Sequence, residues 1–295
     1  MKIAVRDEIL LQAFPCIEEG LNYLNLNYFE LHLDNAFQTY NLNSGTKVSL
    51  NSDEQLSVFK EGLQERDYHL SALLTDFDIS MYPIEQTVAW FKQAINIANE
   101  LQTKVIRVDS ILQQEHLYTF GKKVELYYEV FSEIFAEERG TTIEFGLENH
   151  GKEGNNPIFL LSVVNTINDP RFGLTLDFGN FYWRGYPLSE TEAILKLLAP
   201  YAKYIHIKNI AYPEPVQEVY REAGWEYETY VCPVYKGDIN IEVILAELKK
   251  CSYKGAICIE DESLHLFSDP NEKKEVLKQD IEFINEITND IQFDN

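Results

Sequence analysis

The chain has 295 residues, 45% of them hydrophobic, which suits a substantial buried core. Its 25 basic residues stand against 48 acidic ones, a formal charge of −23 that repels a phosphate backbone and argues against nucleic acid as a partner. No apolar run approaches the roughly 20 residues that a membrane span needs. The opening MKIAVRDEILLQ enters a strand pattern and a charge pair rather than a leader, so the expected location is cytoplasmic.

Short apolar runs alternate with helical stretches along the whole length. Strands are expected at 2–5, 28–33, 68–74, 104–108, 142–148, 172–177, 204–208 and 256–260. The helical stretches fall at 15–25, 53–66, 84–102, 122–139, 157–167, 190–198, 241–249 and 271–287. Ser52 or Asp53 is the N-cap of the second, Pro83 lies near the first turn of the third, and Gly140 follows the fourth. Eight strands alternating with eight helices imply parallel pairing through right-handed crossovers, hence a single (β/α)₈ barrel domain over 1–295. The segment at about 211–236 breaks the rhythm. It is rich in Tyr, Glu and Pro, with Trp225 near its middle, and reads either as an active-site lid or as an insertion packing on its own aromatics. The four cysteines form no CxxC pair, so they read as reduced thiols rather than a zinc site.

Active sites of such barrels lie at the C-terminal ends of the strands, and side chains alternate faces along a strand. In 142–148 the residues Ile143, Phe145 and Leu147 face the helices and Glu148 faces the barrel. The same alternation turns Asp177, His206 with Lys208, and Glu260 inward at the ends of the next three strands. Three carboxylates converging on one mouth repel each other, and burying them costs several kcal/mol each unless something positive compensates. One divalent ion does so, and one imidazole with three carboxylates favours Mn²⁺, Mg²⁺, Co²⁺ or Zn²⁺. The competing reading is a rim salt bridge for Glu148 and Asp177 and a satisfied core histidine for His206. Glu30 and Arg107 also point inward, from earlier strands, and are read as structural.

Five motifs carry a resemblance: LENHG at 147–151, LDFGN at 176–180, IHIKN at 205–209, GDIN at 237–240 and YKGAICIEDE at 253–262. In this order and at these strand ends they look like the sugar phosphate isomerase/epimerase family of xylose-isomerase-like barrels. The resemblance implies a metal held by Glu148, Asp177, His206 and Glu260, the same four that the alternation selects. It also implies that Glu148 and Glu260 serve as both ligands and catalytic bases. A frequent family form of the third motif ends in Asp where this chain has the uncharged Asn209. His150, Asn180, Lys208 and Trp225 are the expected substrate contacts, Lys208 alternatively neutralising the acidic mouth.

The activity implied is isomerisation or epimerisation of a small sugar, sugar phosphate or related polyhydroxy carbonyl compound. The metal would stabilise an enediolate while the carboxylates move the proton. Two alternatives share the site: a metal-dependent lyase or dehydratase, and a sugar-binding barrel without turnover. A multi-zinc phosphodiesterase is set aside, because the chain has six histidines in all and an acidic surface. Which substrate, which metal and which oligomeric state, a homo-oligomer included, stay open at this stage.

Overall fold

The first strand, β1 (Ile3–Arg6), is a buried apolar run ending in a half-buried arginine. Seven more follow in the computed structural model, which describes residues 1–292. They are β2 (Tyr28–Leu33), β3 (His69–Thr75), β4 (Val105–Val108), β5 (Glu144–Glu148), β6 (Phe172–Asp177), β7 (Ala202–Ile207) and β8 (Ile257–Ile259). Each pairs in parallel with its chain neighbours, and β8 returns to β1, so the sheet closes into a (β/α)₈ barrel.

Helices cover the outside for the reason the apolar pattern gives. Phe91 and Phe131, from helices Ile84–Glu100 and Phe120–Glu137, meet the outward Phe145 of β5 at centroid distances of 6.0 and 5.1 Å. Such aromatic faces contribute large buried areas to the core. Inside the barrel Ala4, Ala72, Val105, Tyr204, Ala256 and Cys258 form a buried cluster of mostly small side chains around one tyrosine. Tyr204 spans the interior to Ser71, its hydroxyl 2.6 Å from Oγ.

Strands β2 and β6 and the helix Pro157–Ile167 have the expected bounds. Elsewhere the structure departs from the sequence reading. The helix expected over 15–25 runs over Ile17–Leu24, and a separate helix, Asp7–Ala13, precedes it, with Phe14 extended between the two. Pro15 forces this break, since it disfavours helical backbone at the residue before it. The first of these helices starts directly after β1, in a stretch for which no element was expected. A hairpin of Gln38–Tyr40 with Lys47–Ser49 was likewise absent from the expected elements. Ser52, not Asp53, caps the helix Asp53–Glu65 by accepting the Gln55 amide.

The segment after β7 is pinned at its base. Asn209–Ile210 pairs antiparallel with Val231–Cys232, and the buried Asn209 amide donates to the carbonyls of Val234 and Ile239. Its Oδ1 accepts from Ile210 and Ile239. That explains Gly237: a Cβ there would stand 2.0 Å from the Asn209 side chain. Asn209 thus acts as a loop clamp, and an uncharged amide serves it well because it both donates and accepts.

Candidate metal and catalytic site

Register brings the strand ends together. Asp177 of β6 lies opposite His206 of β7, and His206 opposite Cys258 of β8, two residues before Glu260. Glu148 closes β5. One ligand atom from each of Glu148, Asp177, His206 and Glu260 lies within 4.8 Å of all the others, and all four residues are buried. Two ligands on opposite sides of an ion bound at about 2.2 Å stand roughly 4.4 Å apart, so the cluster has the size of one coordination sphere.

The donors are aimed by their own hydrogen bonds. Asp177 Oδ1 accepts the amides of Gly179 and Asn180, each at 2.8 Å. Its other oxygen, Oδ2, is buried with no hydrogen-bond partner, and so is Glu260 Oε2. Their nearest cationic neighbours are Lys208 Nζ at 3.3 Å and His206 Nδ1 at 3.4 Å. Two orphaned carboxylate oxygens in a buried cluster with an imidazole fit a hard or borderline divalent ion. Asn149, between Glu148 and His150, locks the strand ends: its amide donates to the Asp177 carbonyl at 2.9 Å and accepts the Asp177 amide at 2.7 Å.

Each glutamate is also clamped by an arginine. Arg107 binds Glu148, the Thr75 carbonyl and Asp109, while Arg6 bridges Glu260 and Glu8. Burial alone would push the Glu148 carboxyl up, but Arg107 and His206 outweigh it and hold it well below the usual carboxylate range. Burial likewise opposes ionisation of Glu260, and His206, Lys208 and Arg6 overcome it. Asp177 goes the other way: burial raises it, Lys208 opposes, and the neighbouring Glu260 and Glu148 raise it further. Asp177 is thus the carboxylate least compensated by its neighbours, and a divalent ion would favour its ionised form.

Of the expected substrate contacts, Lys208 is buried and reaches Asp177 and Glu262, the latter at 3.0 Å. Asn180 is buried with an unpartnered amide nitrogen. His150 is part-exposed at the rim, its Nδ1 3.1 Å from Asp109. Trp225 stacks on Tyr230 within its own loop, at 5.8 Å and 18°. The side chain which that loop sends to the site is Tyr227, whose hydroxyl donates to Glu262. Sequence reading placed Glu30 and Arg107 inward as structural residues but did not foresee the pairings of Arg107 with Glu148, Arg6 with Glu260 and Glu30 with His206. The signal available was a charged residue at an inward position of an otherwise apolar strand. It also set all the cysteines aside, yet Cys258 lies with Glu30 and His206 in a second group of close ligand atoms.

A family model described as xylose isomerase-like TIM barrel matches residues 23–287. The chain is 29% identical over 207 residues to an uncharacterized protein, MJ1311, of Methanocaldococcus jannaschii, across 68% of this chain and 64% of that protein's length. Among solved structures it resembles a D-tagatose 3-epimerase-like protein, with TM-score 0.65, 22% identity, and 97% and 99% of the two chains covered. It also resembles an IolI protein with a bound zinc atom, with TM-score 0.69, 16% identity, and coverage of 98% and 99%. Among the described residues no helix is long and apolar enough to cross a membrane.

Proposed function

The chain belongs to the xylose isomerase-like TIM barrel family, and on that footing we propose that it is a divalent-metal-dependent isomerase or epimerase of a small sugar, sugar phosphate or related polyhydroxy carbonyl compound. The observation that carries this reading is the meeting of Glu148, Asp177, His206 and Glu260 at the strand ends, with two carboxylate oxygens left unpartnered. The zinc atom of the IolI structure and the epimerase-like name of the other neighbour support it. The four residues would hold one Mn²⁺, Mg²⁺, Co²⁺ or Zn²⁺, an ion that acts as a Lewis acid toward a carbonyl and its neighbouring hydroxyl.

The remaining work falls to side chains. Glu148 ends β5 and Glu260 follows β8, three strands apart around the ring, and both lie beside His206 Nδ1, at 3.1 and 3.4 Å. On a substrate held between them, one would take a proton from the carbon next to the carbonyl and the other would return it. Arg107 and Arg6 keep both ionised and fixed in place before the substrate arrives. Lys208 and the free amide of Asn180 are donors for substrate oxygens. Tyr227, bonded to Glu262, draws the loop after β7 toward the mouth and limits entry of water.

The test is turnover of candidate ketoses and aldoses in D₂O with the metal-loaded protein. Deuterium should appear on the carbon next to the carbonyl, and Glu148→Gln and Glu260→Gln should each lower exchange at least about 100-fold. Asp177→Ala should lose the metal, about one ion per wild-type chain by elemental analysis. Turnover without deuterium uptake would remove the acid–base roles while leaving the metal site. Loss of water from the product would move the assignment to a lyase.

A further inference from the structure

His206 has two ring nitrogens, and the site faces only one of them. Nδ1 lies 3.1 Å from Glu148 and 3.4 Å from Glu260. Nε2 points the opposite way, 2.9 Å from each oxygen of Glu30. Glu30 stands on β2, three strands from β7 around the ring, so its side chain crosses the barrel interior to make this contact. Both residues are fully buried. Cys258 completes the arrangement by donating its thiol proton to Glu30 Oε2 at 3.7 Å. Tyr204 packs edge-on against the imidazole, at 5.4 Å and 84°.

We propose that Glu30 is a positioning residue that holds His206 with its proton on Nε2 and so turns the Nδ1 lone pair toward the divalent ion. The inference rests on the metal site proposed above. In the metal-bound form the imidazole is neutral and carries one proton, and the nitrogen that keeps it cannot bind a metal. A carboxylate accepting Nε2–H decides which nitrogen that is, fixes the ring plane and raises the basicity of the other nitrogen. Across the sheet Glu30 stands between Arg6 and Ala72, with an apolar interior cluster beside it. The Arg6 guanidinium pairs with Glu260 and Glu8. Burying an acid in such a layer is costly unless it is hydrogen-bonded, and here the bonds it makes go to His206 and Cys258. The spacing of Glu30, His206 and Cys258 would also admit a second ion. That would require the imidazole to bind through both nitrogens and lose its last proton, which makes positioning the favoured role.

The experiment uses the full chain stripped of metal and titrated calorimetrically with Zn²⁺. Wild type is compared with Glu30→Gln, Glu30→Leu and Cys258→Ala, together with ¹⁵N–¹H spectra of the histidine rings in the zinc form. Wild type should bind one ion and show His206 protonated at Nε2 alone. Glu30→Leu should bind about 10- to 100-fold more weakly without a lower melting temperature for the metal-free protein. Glu30→Gln, which offers only an amide oxygen, should lose affinity a few-fold, and it decides the matter should the leucine variant fail to fold. Either variant binding as tightly as wild type overturns the proposal. Two ions per wild-type chain falling to one in Cys258→Ala overturns it in favour of a second metal site. Wild type binding no ion overturns the metal site itself, an outcome separate from any effect of Glu30.

Discussion

On the β5–β8 side of the barrel mouth, Asp177 Oδ2 and Glu260 Oε2 are buried without hydrogen-bond partners. On the β1–β4 side the buried carboxylates are fully engaged. Glu30 takes His206 Nε2–H on both oxygens, and Asp109 takes the Ile111 amide and His150 on one oxygen and Arg107 on the other. The first half keeps open acceptors. The second supplies fixed charges, Arg6 and Arg107, that reach across and hold the glutamates of the first. The difference separates a receiving surface from its scaffold, and the two should answer mutation with opposite signs.

The largest effect expected is on that sign. Arg107→Met leaves Glu148 and Asp109 as buried, unpaired acids, and should destabilise the metal-free protein by about 3–5 kcal/mol. Asp177→Asn removes a carboxylate that its acidic neighbours push toward protonation, and keeps the Oδ1 acceptor for Gly179 and Asn180. It should leave the metal-free protein as stable as wild type or about 1 kcal/mol more so, while abolishing tight metal binding. Urea unfolding of both variants without metal checks the pair. Equal destabilisation by the two would erase the division between receiving side and scaffold.

How much of this was legible before the structure follows the same division. Alternation along a strand tells which side chains face inward, and that was enough to select Glu148, Asp177, His206 and Glu260, each at the end of its own strand. Partners across the barrel were not legible. The pairing of Glu30 with His206, or Arg6 with Glu260, depends on strand order, stagger and side-chain reach, none of which is written in local spacing. The charged residue in each of IAVR, YFELHL and VIRV could have been flagged as needing a partner, though not as having a particular one. Asn149 gave no signal of its clamp on Asp177, because a backbone-to-side-chain bond between neighbouring strands has no sequence pattern. The fold was easier to read, since the 2- and 3.6-residue periods repeat eight times. It failed locally where an element is too short to show a period, as in the helix Asp7–Ala13.

A middle-sized effect sharpens the scaffold half. His32 lies 3.2 Å from Glu8 and 3.6 Å from Asp76, and is mostly buried. Burial lowers its pKa, but the hydrogen bonds it donates to Asp76 and Glu8 outweigh that and bring it from near 6.5 to about 9. The folded state therefore binds this proton more tightly than the unfolded chain. Its stabilisation is complete below about pH 6.5 and is lost as the pH rises through 9. Thermal melts of the metal-free protein should show a melting temperature falling across that window. His32→Gln should flatten the fall, and an equally steep one in that variant would place its origin elsewhere.

The smallest effect expected joins the two halves to the loop above them. Tyr227 is half-buried and donates to Glu262, which also pairs with Lys208 at 3.0 Å. Lys208 in turn reaches Asp177 at 3.3 Å, so the loop, the rim acid and the receiving carboxylate form one chain of contacts. Tyr227→Phe removes one hydroxyl and leaves the ring in place. A hydrogen bond to a charged acceptor contributes roughly 1.5–3 kcal/mol, less where solvent competes. The loop is held elsewhere by the clamp at Asn209 and by its own Trp225–Tyr230 stack. Global stability should therefore change by less than about 1 kcal/mol, because most of the packing survives. Local opening should change more, and hydrogen exchange of the amides over 227–230 is the sensitive measurement. Faster exchange there, with unchanged exchange in the barrel strands, is the expected result. Because Glu262 loses a donor while Lys208 keeps its place against Asp177, metal affinity should hold within about twofold. A larger loss would mean that the loop belongs to the receiving side itself rather than closing over it.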